Sequence, residues 1–412
     1  MSHPACRFCQ APLTQTFVDL GYSPLANSFL EQPQPAEDEP FFPLRALVCI
    51  TCFLVQLQDF EKPETLFHDR YAYFSSYSET WLRHAKDYVD EMSNRLDLNT
   101  NSLVVEIASN DGYLLQYFVE KKIPVLGIEP AANVAAEAEK KGVPTLQKFF
   151  GRQTADAMVA KEKKADLLLG NNVLAHVPDI NDFVAGIQIA LQPDGVVTME
   201  FPHLLRLIAE NQYDTVYHEH FSYLSFHAVD KIFSTHNMTL FDVEQLPTHG
   251  GSLRIFGQHT ATGKRPATQR IAQLKNEEVT AGILNPNLYR DFDTKTQAHK
   301  QAVREFLEQA KEQGKHVAGY GAPAKGNTLL NFCGVGTNFI DYTVDRNPHK
   351  QGKFLPGVHI PIASPEKIFT TQPDYIVILP WNIKEEIMEQ MSPVRKWGAQ
   401  FVTLIPEVKT FP

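Results

Sequence analysis

The sequence predicts an α/β protein in three parts: an N-terminal zinc-binding module, a central Rossmann-like domain and a C-terminal Rossmann-like α/β domain. Two Cys-x-x-Cys pairs open the chain, short apolar runs alternate with helical patterns from residue 103, and a second strand-turn-helix unit begins at residue 316. A chain of 412 residues exceeds one ordinary core, and its parts are large enough to bury apolar area without disulfide staples. The expected divisions are 1–65, 66–260, a helical connector at 261–314, and 315–412.

Apolar residues make up 43% and charged residues 21%, a globular balance. No apolar stretch approaches the roughly 20 residues that span a bilayer, so no membrane partner is expected. Residues 1–13 lack a basic segment followed by an apolar run, which argues against a secretory leader and makes a cytoplasmic location the default. The net charge of −10 opposes a role coating nucleic acid, while a local basic groove for one nucleotide stays open. No heptad pattern is visible, and a monomer is the default expectation.

In Cys6-Arg7-Phe8-Cys9 and Cys49-Ile50-Thr51-Cys52, each pair can close two tetrahedral thiolate bonds around one zinc. Four thiolates complete the shell and leave no position for water, so the expected zinc is structural. The Pro-rich stretch 32–43 between the pairs must loop out. Cys333 stands alone in apolar surroundings and reads as a small buried hydrophobe. Tyr71-Ala72-Tyr73-Phe74-Ser75-Ser76-Tyr77-Ser78 is a polar-aromatic loop ahead of a helical pattern carrying Trp81, Ala85, Tyr88 and Met92. It either covers a site or fastens the first module to the next domain.

Leu103-Val104-Val105-Glu106-Ile107 reads as a buried parallel strand, followed by the turn Ala108-Ser109-Asn110-Asp111-Gly112 and a helical pattern over 113–119. A second strand, Val125-Leu126-Gly127-Ile128, ends at Glu129, where a carboxylate can accept both ribose hydroxyls. The turn is neither Gly-x-Gly-x-x-Gly nor a phosphate loop ending in Lys-Ser/Thr, so NAD and ATP are not its natural ligands. A nucleoside without phosphates fits better, and S-adenosylmethionine is one. Further strands at 165–169 and 195–200 complete a doubly wound sheet with ligands at the strand ends. The candidate cofactor residues are Glu106, Ala108, Ser109, Asn110, Gly112, Glu129, Asn171 and Asn172.

Tyr217-His218-Glu219-His220-Phe221 packs a phenol, two imidazoles and a carboxylate into one segment. Such groups exchange protons near neutral pH and are costly to bury without partners. The segment follows the strand at 195–200 and so approaches the edge where His176 sits, although His176 also reads as a core or capping histidine. The stretch 248–256 is a further strand candidate, and its paired glycines, Gly250 and Gly251, either admit a close ligand or, as the preferred reading, make a turn. In the last hundred residues, Gly321-Ala322-Pro323-Ala324-Lys325-Gly326-Asn327 suits an anion, through backbone N–H groups at a helix start and the Lys325 charge. Asn327, Arg346 and Lys350 join Lys325 as candidate substrate residues, with solvated surface charge as the competing reading.

With these motifs in this order, nearly the whole chain resembles the sugar C-methyltransferases that act on nucleotide-linked keto-deoxysugars. The resemblance rests on the cysteine pairs, Tyr71-Ala72-Tyr73-Phe74-Ser75-Ser76, Glu106-Ile107-Ala108-Ser109-Asn110-Asp111-Gly112, the Tyr217 to Phe221 run and the Gly321 to Asn327 turn. Ala108 departs from it, since methyltransferases often carry glycine there. The resemblance implies a central S-adenosylmethionine-dependent methyltransferase domain and a C-terminal domain that helps hold a sugar nucleotide. It also implies methylation of a carbon beside a ketone, commonly C3 next to the 4-keto group of a dTDP-linked sugar.

Carbon has no lone pair to offer a methyl group, so it must first become an enolate, which needs a base and donors at the developing oxyanion. Within that reading His220 is the base, Glu219 orients it or raises its basicity, Tyr217 and His176 stabilise the enolate, and Tyr71 covers the site. Exchange of roles among His176, Tyr217 and His220 stays open, because sequence carries no distances. O- or N-methylation of a similar substrate is the second reading. A non-catalytic zinc- and nucleotide-binding module is the third, and it leaves the Tyr-His-Glu-His run unexplained.

Overall fold

The computed structural model describes residues 3–33, 38–58, 74–161 and 164–412. The first module is an antiparallel ladder of β1 (Gln15–Ser23), β2 (Phe42–Val48) and β3 (Val55–Leu57). The central sheet begins with β4 (Val104–Ile107), β5 (Val125–Ile128), β6 (Thr145–Leu146), β7 (Ala165–Asn171) and β8 (Leu191–Pro202). All four residues of β4 are buried, as a parallel strand covered on both faces requires.

The chain then leaves this sheet. Strand β9 (Ser222–Tyr223) pairs with β3, Tyr223 opposite Val55 and Ser222 opposite Gln56, so the first sheet has the order β1-β2-β3-β9. Strands β10 (Met238–Leu246) and β11 (Ser252–His259) return to the central sheet as an antiparallel edge, giving the order β10-β11-β8-β7-β4-β5-β6. The third sheet comprises β12 (Val317–Tyr320), β13 (Tyr342–Val344), β14 (Ile362–Ala363), β15 (Tyr375–Ile378), β16 (Gln400–Thr403) and β17 (Lys409–Phe411). Its order is β14-β13-β12-β15-β16-β17, parallel except for β17.

Helix Glu79–Arg95 starts where the Ser78 hydroxyl accepts from the Trp81 backbone N–H at 3.2 Å, and it buries Ala85, Tyr88, Val89 and Met92 on one face. The stretch 261–314 holds the helices Gln269–Thr280 and Pro286–Glu312. The longer one packs on the first module, with Phe292 stacked on Phe17 at 4.6 Å. Cys333 is fully buried, as its apolar surroundings imply. Among the described residues no helix is long and apolar enough to cross a membrane.

Candidate active site

The eight candidate cofactor residues meet at the carboxyl ends of β4, β5 and β7. The chain reverses after β4 through three left-handed residues, Ala108 (φ 56°), Asn110 (φ 48°) and Gly112 (φ 72°). A β-carbon at Gly112 would lie 3.2 Å from Ala138 and Val143, so the turn needs glycine both for its φ and for its seat on the next helix. Glu129 clamps two strand ends: its carboxylate accepts from Asn110 N at 3.0 Å and from Ala131 N at 2.9 Å. Burial raises Glu129 to about 6, with those N–H groups opposing the rise. Glu106 is raised well above the usual range by burial, the Tyr113 hydroxyl opposes that shift, and the Asp111 and Glu129 charges add to it.

Asn171 donates to the Tyr113 hydroxyl at 3.3 Å, and Asn172 (φ 54°) ties β7 to β8 through Glu200 O at 2.7 Å. Ser109 Oγ and Asn172 Oδ1 are buried with no partner among the described residues, which leaves polar atoms for a ligand. Acidic side chains under the turn and these orphaned polar atoms fit a cationic adenosine compound. Ser75 N donates to Asn110 Oδ1 at 2.9 Å, so the segment before helix Glu79–Arg95 closes over the turn. Tyr71 lies outside the described residues.

Beside this edge, His176 and His220 lie edge to face with ring centroids 4.6 Å apart, and the Tyr217 ring lies 4.0 Å from His220. His220 Nδ1 donates to the Thr215 carbonyl at 2.8 Å. A carbonyl can only accept, so in the neutral ring the lone pair sits on Nε2. Burial holds His220 well below its ordinary value, the Lys325 charge pushes the same way, and so would any proton taken up by His176 or His249. Burial lowers His176 to about 4, while a hydrogen bond to the Glu219 backbone opposes the shift. Both rings are therefore neutral near pH 7. Glu219 is raised to about 7 by burial, and its carboxylate accepts from Asn27 Nδ2 at 2.6 Å. The ring of His220 is thus oriented by Thr215, while Glu219 reaches into the first module.

The four expected anion ligands take separate partners. Lys325 Nζ donates to Asn382 Oδ1 at 2.5 Å and stands 4.8 Å over the Trp381 ring, whose Nε1 donates to Asp214 at 2.6 Å. Burial lowers Lys325 and raises Asp214 to about 6, and their mutual attraction opposes both shifts. Lys350 Nζ donates to the Ala322 carbonyl at 2.8 Å and lies 3.8 Å from Asp345. Asn327 is wholly buried and accepts from Asn331 within its own helix. Arg346 is exposed, in a cleft shared with Tyr77, Glu386 and Gln390. Only Lys325 acts electrically on His220.

Sequence reasoning missed His249, Asn27, Thr215, Asp214 and Trp381. His249 is left-handed (φ 55°) and lowered to about 4 by burial, with Lys325 adding and Glu200 opposing. Its turn is held by Thr248, which donates to Glu200 at 2.9 Å, and a side chain at Gly250 would meet Trp381 at 2.4 Å. A histidine next to two glycines was the one available signal. Asn27 and Trp381 arrive from distant segments, and Asp214 and Thr215, just ahead of Tyr217, act through a buried carboxylate and a main-chain carbonyl that no motif marks.

The four cysteine sulfurs lie within 4.8 Å of one another, with Cys6 to Cys52 at 3.6 Å and Cys9 to Cys49 at 3.5 Å. Tetrahedral Zn–S bonds of about 2.3 Å need sulfur separations of about 3.8 Å, so Cys6, Cys9, Cys49 and Cys52 fit a closed structural zinc. Gln56 Nε2 donates to Cys6 Sγ at 3.2 Å and steadies that ligand.

Three family matches tile the chain: a zinc binding domain at 6–67, a methyltransferase domain at 77–243 and a C-methyltransferase C-terminal domain at 247–406. The C-methyltransferase NovU of Streptomyces niveus is 36% identical over 404 residues, 98% of this chain and 95% of that protein. A ubiquinone biosynthesis O-methyltransferase of Rhodopseudomonas palustris is 27% identical over 118 residues, 27% of this chain and 46% of its own length. The solved N1-methyltransferase for 1,6-didemethyltoxoflavin of Burkholderia thailandensis is 16% identical, with a TM-score of 0.36, over 50% of this chain and 95% of that one.

Proposed function

The chain belongs to the zinc-containing, S-adenosylmethionine-dependent C-methyltransferase family, and on that premise we propose that it methylates C3, beside the 4-keto group, of a dTDP-linked deoxysugar through an enolate. The observation that carries this reading is the trio His176, Tyr217 and His220 beside the cofactor edge. His220 Nε2 takes the proton from the carbon next to the ketone, while the Thr215 carbonyl fixes the ring. Tyr217 donates to the oxygen that becomes the enolate, His176 gives its one N–H to the Glu219 backbone and supports the base edge to face, and Glu219 gives the segment a second acid-base group near neutrality. When bound, S-adenosylmethionine supplies an electrophilic methyl; the protein's part is to hold the enolate carbon at near-attack distance and exclude water.

Glu129 and the turn at 108–112 hold the nucleoside, with Asn171 and Asn172 at its rim. Lys325 faces the ketone side of the chamber; Arg346 and Lys350 belong to the surface that receives the dTDP group, and the buried Asn327 braces the helix behind it. Division of labour follows the expected segments: 1–65 zinc, 66–260 methyl transfer, 261–314 connection and 315–412 sugar-nucleotide binding, in a soluble monomer of the cytoplasm. The test is turnover of a dTDP-4-keto-6-deoxysugar panel with methyl-labelled cofactor, followed by NMR of the sugar. A carbon-bound methyl next to the ketone is expected; label on oxygen or nitrogen sinks the enolate reading.

A further inference from the structure

Between two of its zinc ligands the chain carries Arg7, and that side chain reaches out of the knuckle. Nη1 donates to the Pro178 carbonyl at 2.6 Å and Nη2 to the Leu57 carbonyl at 2.7 Å, while the guanidinium carbon stands 5.3 Å over the Phe221 ring. Pro178 closes the loop that carries His176, and Phe221 directly follows His220. Leu57 in turn donates its N–H to the Phe221 carbonyl at 3.0 Å, where β3 pairs with the segment leading into β9. The Arg7 main chain is held as firmly. Its N–H donates to Gln56 Oε1 at 2.8 Å, the same Gln56 that donates to Cys6 Sγ, and Asn181 donates to the carbonyls of Arg7 and Phe8 at 3.2 and 2.9 Å.

One planar fork therefore joins the zinc knuckle to both histidine loops, which otherwise come from separate parts of the chain. A guanidinium can serve two carbonyls and an aromatic face together, whereas an ammonium is a single point with no flat face. We propose that Arg7 is a positioning residue for methyl transfer, a clamp through which the cysteine knuckle sets the spacing of His176 and His220. It touches neither substrate nor cofactor and acts by holding Pro178 and Phe221. This inference rests on the roles assigned to the two histidines above. It also gives the structural zinc a task in the reaction: to make the platform from which Arg7 reaches rigid.

The test uses the zinc-loaded full chain with Arg7→Ala and Arg7→Lys. For Arg7→Ala the expectation is full zinc stoichiometry, an unchanged thermal shift with S-adenosylmethionine, KM within about threefold and kcat down about 10²-fold, the scale expected when reacting groups are misplaced by an ångström. Added guanidinium should restore part of kcat, methylammonium at equal ionic strength should not, and Arg7→Lys should fall between. A kcat within about threefold of wild type for Arg7→Ala, or a loss that tracks zinc content and resists guanidinium, overturns the proposal. If wild type turns over no sugar in the panel, the functional reading fails separately. Amide exchange over 173–178 and 217–223 in the substrate-free protein then decides for Arg7: faster exchange in Arg7→Ala supports the clamp, and unchanged exchange sinks it.

Discussion

After β4 the chain turns through residues 108–112 among the buried acidic side chains Glu106, Asp111 and Glu129, whereas after β12 it turns through 321–325 and raises a half-buried ammonium, Lys325. Both units are a short parallel strand, a tight turn and a helix. Their charges are opposite, and neither resembles a phosphate nest once its partners are seen. In the first, the Asn110 N–H of the turn is spent on Glu129; in the second, Lys325 is taken by Asn382 and Trp381. The scaffold is shared, and a few side chains at the strand end decide which ligand each can take. The β9 excursion then ties the chamber between them to the zinc module.

Breaking that tie should have the largest effect. Cys6→Ser with Cys52→Ser removes half of the zinc shell, and β9 then loses the sheet it pairs with. Methyl transfer should fall below detection with loss of bound zinc, measured by metal analysis; full activity without zinc would refute the structural link. Next comes the base. His220→Asn should lower kcat by about 10³-fold while leaving the S-adenosylmethionine thermal shift in place, because the cofactor edge does not depend on His220.

The comparison of the two turns is sharpened by Lys325→Met. A cation depresses a neighbouring imidazole, so its removal should raise His220 and His249. In the proposed mechanism the base works as neutral imidazole, and the acid limb of kcat/KM should therefore move to higher pH. A limb that stays or moves down would place Lys325 away from the chamber. The smallest effect belongs to Ala108, whose left-handed φ of 56° glycine adopts without strain. Ala108→Gly should gain up to about 1 kcal/mol in denaturant titration, with cofactor binding preserved.

The strands at the cofactor edge were legible, because a buried parallel strand writes a continuous apolar run and its end locates the ligand, while their order in the sheet was not. That logic reached His176, Tyr217 and His220. It stopped where contacts come from far away in the chain. Glu219 looked like the partner of its neighbour His220, yet its carboxylate met Asn27, 192 residues away, while the ring took the main-chain carbonyl of Thr215, a local contact that leaves no side-chain signature. Lys325 looked like a phosphate ligand because small residues precede it, but Asn382, Trp381 and Asp214 give it a different setting. The turn at 248–251 was read correctly as a turn, but the histidine it carries gained meaning only beside Trp81, 5.2 Å away, and Lys325.

The central claim is that this chamber makes a sugar enolate. The most direct measurement is incubation of the enzyme with a dTDP-4-keto-6-deoxysugar and S-adenosylhomocysteine in deuterated water, where no methyl can transfer. Deuterium entering at C3 with wild type and not with His220→Asn is the predicted result. A sugar that wild type methylates in a parallel reaction, yet that takes up no deuterium here and carries the new methyl on oxygen or nitrogen, would contradict it.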